Sequence, residues 1–259
     1  RSPTTGLSWH RATRSVVTPV SLRADPLPAP SHTEVEATAS GIRSPSPPPP
    51  SITAGRLVAV TGGTSTTWGG AFEEAVETSA VPDLARTGLA RTLEAHPDAA
   101  DRLVADTPAL TALLAVTSAS RSLTRHVEAD PAALDVLAEL ATPVPISAES
   151  PERLVATKRL EYLRIAARDL VGADDLEATG AALAALGRDV LAAACTLAEA
   201  EHLAVIGMGK LGGDELNYAS DIDVMFVGEA EHSAMVKAAR RVLDHARRCF
   251  RVDANLRPE

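Results

Sequence analysis

Gly207-Met208-Gly209-Lys210-Leu211-Gly212-Gly213, followed after the spacer Asp214 to Ser220 by Asp221-Ile222-Asp223-Val224, is the stretch whose reading decides the fold. Its first six residues satisfy Gly-x-Gly-x-x-Gly behind a short apolar run, Leu203-Ala204-Val205-Ile206, the pattern of a dinucleotide-binding turn. That pattern requires a helix of about a dozen residues before the next parallel strand, and the spacer is too short to hold one. A lysine inside the turn also suits poorly a backbone that must approach a pyrophosphate. The other reading takes Ile222-Val224-Phe226, alternating with Asp221, Asp223 and Met225, as a second strand. Side chains two apart on a strand share a face, so Asp221 and Asp223 converge while Ile222 and Val224 enter the core. Alternating acids also mark the wet face of an edge strand. Beside a Gly-Lys segment, two convergent carboxylates instead read as a seat for a divalent cation. Magnesium takes hard oxygen ligands, usually one or two carboxylates plus phosphate oxygens, and nearby glycines let backbone N–H groups approach those phosphates.

Outward from this stretch, Ala234 to about Phe250 returns to a helical period and Arg251 to Leu256 reads as extended, so residues 201–259 are mixed α and β. On the N-terminal side, residues 71–200 are helical. Thr107-Pro108, Asp130-Pro131 and Ser150-Pro151 mark helix starts, a capping side chain followed by a proline that needs no N–H at the first helical position. One helix is predicted from Pro151 to Leu170, with Leu160, Leu163, Ala167 and Leu170 on one face. Lys158, Arg159, Arg164 and Arg168 are interleaved there; such a basic helix can hold phosphate or a partner, but the simpler expectation is a solvated face. An alanine-rich helix follows from Leu176 to about Ala200, buried against its neighbours, and the whole span reads as an irregular helical domain.

Residues 1–70 read as a disordered, low-complexity extension. They are rich in Ser, Thr, Pro and Arg, run through Pro47-Pro48-Pro49-Pro50, and include the Gly62 to Gly70 stretch, which reads as a flexible linker since no Lys-Ser/Thr pair follows it. The Arg-rich, acid-poor start also resembles a transit peptide, with an unstructured extension the simpler alternative. The chain opens at Arg1 and stops at Glu259 directly after a strand-like segment, so a fragment of a longer protein is expected.

Composition agrees with this division. The 259 residues are 45% hydrophobic but 3% aromatic, a palette of Ala, Leu and Val that suits helices rather than a β-sandwich. Residues 1–55 hold three of the 34 acids and five of the 25 bases, so the net charge of −9 becomes −11 for the remainder. Neither nucleic acid nor an anionic membrane is expected to attract it. Cys195 and Cys249 are too few for a disulfide framework and the seven histidines show no zinc spacing, which points to the cytoplasm. No apolar run approaches the roughly 20 residues of a membrane helix.

Leu211-Gly212-Gly213 with Asp221-Ile222-Asp223-Val224 resembles the nucleotidyltransferase superfamily of DNA polymerase β. The fuller string from Gly207 to Asp223, together with Glu161 to Leu170 and Phe250 to Glu259, is similar to a narrower family, the bifunctional glutamine synthetase adenylyltransferase/adenylyl-removing enzymes. The resemblance implies an α+β fold: a polymerase β-like nucleotidyltransferase core, truncated here, behind the helical domain and the disordered segment. It covers roughly residues 100–259. It implies an enzyme that controls glutamine synthetase, its protein substrate, by AMP transfer, with Mg²⁺ or Mn²⁺ as cofactor, ATP, ADP and inorganic phosphate as small substrates, and a nitrogen-signalling regulatory protein as a further partner. Glu215-Leu216-Asn217 and Val252 to Leu256 look like the N-terminal copy of the family's two catalytic domains, which removes AMP by phosphorolysis. The adenylylating copy and a non-catalytic interaction module are the alternatives; against the latter, Asp221 beside Asp223 without a cation is unfavourable like-charge pairing.

The roles implied are specific. Asp221, Asp223 and Asp253 form a catalytic, metal-holding carboxylate triad. Gly209, Gly212 and Gly213 approach phosphate oxygens, with Lys210 as a nearby cation. Ser220 either bonds phosphate or turns the chain, and Arg257 reaches phosphate.

Overall fold

The computed structural model describes residues 69–200, 202–229 and 231–254. The readings made on residues 1–68 and on Arg257 lie outside them. Along the described chain run α1 (Gly70–Glu77), α2 (Pro82–Ala95), α3 (Ala99–Ala105), α4 (Thr107–Ala119), α5 (Arg121–Ala129), α6 (Ala132–Ala138), α7 (Pro151–Leu170) and α8 (Leu176–Leu197). Then come β1 (Leu203–Met208), the single turn α9 (Gly209–Gly212), β2 (Ile222–Gly228), α10 (His232–Ala246) and β3 (Val252–Asp253). The fold is α+β: helices first, then a small mixed sheet in the order β1-β2-β3.

The helix starts follow their caps. Ser150 accepts from the N–H of Arg153 at the head of α7, Asp175 from Ala178 at the head of α8 and Ser120 from Leu123 at the head of α5. At α4 the cap is Asp106 rather than Thr107; its carboxylate takes the N–H of Ala109, which puts Thr107 and Pro108 inside the first turn. Asp130 accepts from Ala132 before α6.

Two apolar clusters hold the chain, and α7 serves both. Phe72, Leu89, Leu113, Val127 and Leu137 build the first from α1 to α6, and Leu163 and Ala167 close it. Leu154 and Ile165 face the second, with Leu183, Leu186 and Val190 of α8, Ile222 and Val224 of β2 and Val242 of α10. The apolar face of α7 therefore differs from the expected one: Leu163 and Ala167 are buried, whereas Leu170 is 42% exposed past the last packed turn. By length and composition α8 is apolar enough to cross a membrane, contrary to the sequence expectation. Its apolarity comes largely from alanine and glycine, and Thr179, Leu183, Leu186, Val190 and Leu191 are buried against the rest of the fold.

Of the four interleaved cations of α7 only Arg159 is exposed as a solvated face requires; Lys158 and Arg168 are half-buried and Arg164 is buried. Arg164 is 7% and Glu161 is 7% exposed. Nε and Nη2 of Arg164 donate to the two carboxylate oxygens of Glu161 at 2.8 and 2.7 Å, and Nη1 donates to the carbonyl of Leu140. Glu161 also accepts the N–H of Val144 at 2.7 Å. Arg168 forms the same fork with Asp174. These pairs stitch residues 140–147 onto α7, supplying partners for backbone groups with no ladder of their own.

Removing one member of a buried, fully bonded pair strands the other, so Arg164→Ala should destabilise the fold by about 3 kcal/mol or more. Arg164→Lys should recover only part of that, since an ammonium cannot form the fork. Urea denaturation midpoints at constant slope would measure both; a loss below about 1 kcal/mol for the alanine variant would contradict the assignment.

Candidate functional site

β1 and β2 are antiparallel, with Met208 paired to Asp223 and Val205 to Phe226. This excludes the dinucleotide-binding reading, which needs a parallel crossover. Ile222 and Val224 are fully buried, so Asp221 and Asp223 lie on the opposite, accessible side of the strand, as the alternation requires.

What joins the strands is a helical turn rather than an open loop. Leu211, 2% exposed, pins α9 down. It packs against two bare α-carbons: a methyl added to Gly187 of α8 would stand 2.9 Å from Leu211 Cδ1, and one added to Gly207 would stand 3.0 Å from Leu211 Cγ. Gly212 is needed for a different close approach, its added methyl falling 2.6 Å from the carbonyl oxygen of Gly207. The N–H of Gly213 donates to the carbonyl of Gly209 at 3.0 Å, so it is engaged in the turn rather than directed at an open phosphate site. Lys210 and Gly212 are exposed on the outer side of the same turn.

Gly209 carries the geometry. Its φ of +51° lets the chain leave β1 and enter α9 in one step, a conformation costly for residues with a Cβ. A methyl there would also meet Asp223 Oδ2 at 3.1 Å, so the missing side chain leaves that carboxylate its space. Beyond β2, α10 crosses back and β3 pairs parallel with β2, setting Val252 against Ile222 and Asp253 against Asp223. The backbone thereby brings Asp221, Asp223 and Asp253 to one end of the sheet, Asp253 directly across from Asp223.

Ser220 belongs to the turn before β2. Its hydroxyl donates to Asn217 Oδ1 at 2.8 Å and accepts the N–H of Asn217, while Asn217 Oδ1 also takes the N–H of Ala219. Arg251 donates to the carbonyl of Ala219 at 2.8 Å and tethers the turn to the strand that carries Asp253.

Two residues missed in the sequence reading brace this connection. Tyr162 of α7 donates to the carbonyl of Tyr218, and the Tyr218 hydroxyl donates to Asp169 Oδ2 at 2.8 Å. The two rings meet edge to face at 5.6 Å between centroids. Burial and then the bond to the Asp169 carboxylate raise the Tyr218 phenol above its usual pKa. The chain has two tyrosines, one in the Glu161 to Leu170 segment and one in the Gly207 to Asp223 segment, and nothing in either segment indicates that they meet. A cleft of about 750 Å³, lined by Leu176, Gly180, Leu183, Gly213 and Tyr218 among others, opens between α8 and this connection. Arg188 and Asp214 form an ion pair in the same region.

Residues 90–259 match the family model described as glutamate-ammonia ligase adenylyltransferase. The chain belongs to this family. It is 39% identical to the bifunctional glutamine synthetase adenylyltransferase/adenylyl-removing enzyme of Streptomyces coelicolor over a 228-residue alignment that covers 72% of this chain and 23% of the relative. The proteins of the same description from Cutibacterium acnes and Mycobacterium tuberculosis are 40% and 44% identical over 42% and 35% of this chain, covering 14% and 9% of their own lengths. The chain thus spans about a quarter of the length of the curated Streptomyces relative. The matched residues include the Gly209 turn and the carboxylate-bearing strands.

Gly209→Ala should cost about 1–2 kcal/mol of stability from the positive φ alone. It should also displace the Asp223 carboxylate. Urea denaturation together with a crystal structure of the variant would check both, and an unshifted Asp223 in a protein of unchanged stability would remove Gly209 from this role.

Proposed function

We propose that this chain carries the nucleotidyl-transfer centre that removes AMP from a tyrosine of glutamine synthetase by phosphorolysis. The observation that carries the reading is the register of β2 and β3, which sets Asp253 across from Asp223 with Asp221 two residues back on the same strand. Family membership supports AMP transfer, and the relatives' name supports glutamine synthetase as the protein substrate. Glu215-Leu216-Asn217 and the strand motif around Asp253 favour the removing copy over the adding one.

The residues suit a divalent cation. Asp221, Asp223 and Asp253 offer hard oxygen donors, and Gly209 keeps the space beside Asp223 Oδ2 clear. Among the described residues no three His, Cys, Asp or Glu side chains are grouped as metal ligands, so a cation held here would depend on substrate oxygens for much of its shell. When bound, Mg²⁺ or Mn²⁺ supplies positive charge to the oxygens of the transferring phosphoryl group.

In the reaction an oxygen of inorganic phosphate attacks the phosphorus of AMP-tyrosine and the bond to the tyrosyl oxygen breaks. A proton from the incoming phosphate passes to the departing tyrosyl oxygen, giving ADP and tyrosine. The chain's own residues orient this exchange. Exposed Lys210 adds a cation at the rim, and Gly209 leaves the Asp223 carboxylate its space. The bracing of the Asn217 to Ser220 turn by Tyr162 and Arg251 holds Asp221 at its entry to β2. The free thiols Cys195 and Cys249 suit a cytoplasmic enzyme, and a nitrogen-signalling protein is the regulatory partner we assign to the complete enzyme.

In the complete enzyme, Asp223→Asn should slow phosphate-dependent ADP release from adenylylated glutamine synthetase about a thousandfold or more. ATP-dependent adenylylation should persist, carried by the second catalytic copy. Loss of adenylylation with phosphorolysis intact would reverse the assignment and make this the adding copy.

A further inference from the structure

The cations of α7 divide into two sets. Arg153, Arg164 and Arg168 each lie within ion-pair distance of an acid, respectively Glu149, Glu161 and Asp174. Lys158 and Arg159 do not, and neither does Arg125 of α5, which faces them; among the described residues none of the three makes an ion pair. All three line one cavity of about 460 Å³ between α5 and α7, with Ser122, His126 and Tyr162, and among the described residues no carboxylate lines it. In a chain with 34 acids and 25 bases this is the opposite of the average surface.

His126 also lines the cavity; its Nε2 is buried and without a hydrogen-bond partner. Burial also holds the His126 imidazole below its usual pKa, so this ring is a neutral hydrogen-bonding group rather than another charge. The Lys158 ammonium lies 4.3 Å from the centroid of Tyr162 and 4.7 Å from that of Phe250, so ring faces take the place of a counter-ion. Burial lowers the Lys158 pKa, as expected of a cation withdrawn from water without an acid beside it. An anion in the cavity would meet two guanidinium forks and an ammonium, the donor set that suits phosphate oxygens. The volume is within the range of small-molecule sites.

We propose that the cavity between α5 and α7 binds a phosphate-bearing small anion through Arg125, Lys158 and Arg159, at a site separate from the Asp221–Asp223 carboxylates. The ligand is either inorganic phosphate in condensed form or the phosphate end of a nucleotide. The cavity shares residues with the elements that carry the carboxylates: Tyr162 lines it and donates to the Tyr218 carbonyl, and Lys158 lies over the ring of Phe250, two residues before β3. This proposal does not depend on the direction of AMP transfer.

Calorimetric titration of the whole chain with pyrophosphate and, separately, with ATP, both in metal-free buffer, would test it. The Asp221→Asn, Asp223→Asn double variant should bind as the wild type does. Arg125→Glu and Arg159→Glu together should weaken binding about a hundredfold, and Arg159→Gln alone about tenfold. Arg125 and Arg159 are exposed, and circular dichroism would verify that both variants fold. Equal affinity for the two probes identifies phosphate itself as the ligand; tighter binding of ATP identifies a nucleotide. Absence of binding at millimolar concentration, or affinity unchanged by the arginine substitutions, would overturn the proposal.

Discussion

Leu211 lies against the bare α-carbons of Gly187 and Gly207, and through this contact α8, β1 and α9 are held as one piece. Burying a leucine is worth about 2–3 kcal/mol, enough to hold a four-residue helical turn whose glycines would not form one unaided. With α9 anchored, Gly209 keeps its left-handed backbone, Asp223 keeps the space beside it, and the Asn217 to Ser220 turn delivers Asp221 to the start of β2. An apolar contact behind the sheet thus governs where the acids stand in front of it.

Charge is organised just as unevenly. The paired arginines of α7 act as struts, their forks filled by Glu161 and Asp174 and their spare donors spent on the Leu140 carbonyl. The unpaired cations line the hollow on the α5 side. One helix therefore serves two apolar cores, a polar seam and a basic hollow. Its 20 residues leave no long stretch uncommitted.

Features that depend on neighbours in sequence were legible before the structure was known. Proline behind a capping residue located the heads of α4, α6 and α7 to within a residue, a short apolar run placed β1 and the period of two placed β2, because these signals are local. Glu161 and Arg164 were not legible as a buried pair: three residues apart on a helix they look like any solvated ion pair, and only the loop laid over them, through Leu140 and Val144, removes the water. The turn at α9 was hidden for a similar reason, since its stability comes from Gly187, in the middle of α8 and on the other side of β1 in sequence. At the site, the alternation of Asp221 and Asp223 could be read directly. The brace formed by Tyr162 and Tyr218 could not, because nothing in either segment indicates that α7 crosses the β1–β2 connection.

The parallel pairing of β2 with β3 has a consequence in time as well as in space. Antiparallel β1 and β2 need only the short connection between them, whereas β3 reaches its place after α10 has been made and has docked. During synthesis from the N-terminus, Asp221 and Asp223 leave the ribosome about thirty residues ahead of Asp253, with the helices that support them already complete. The nascent chain therefore passes through a stage with a formed scaffold and an unfinished acidic end, and the last carboxylate arrives with the contact of longest sequence separation in the sheet. In the order of synthesis the support therefore precedes the full charge.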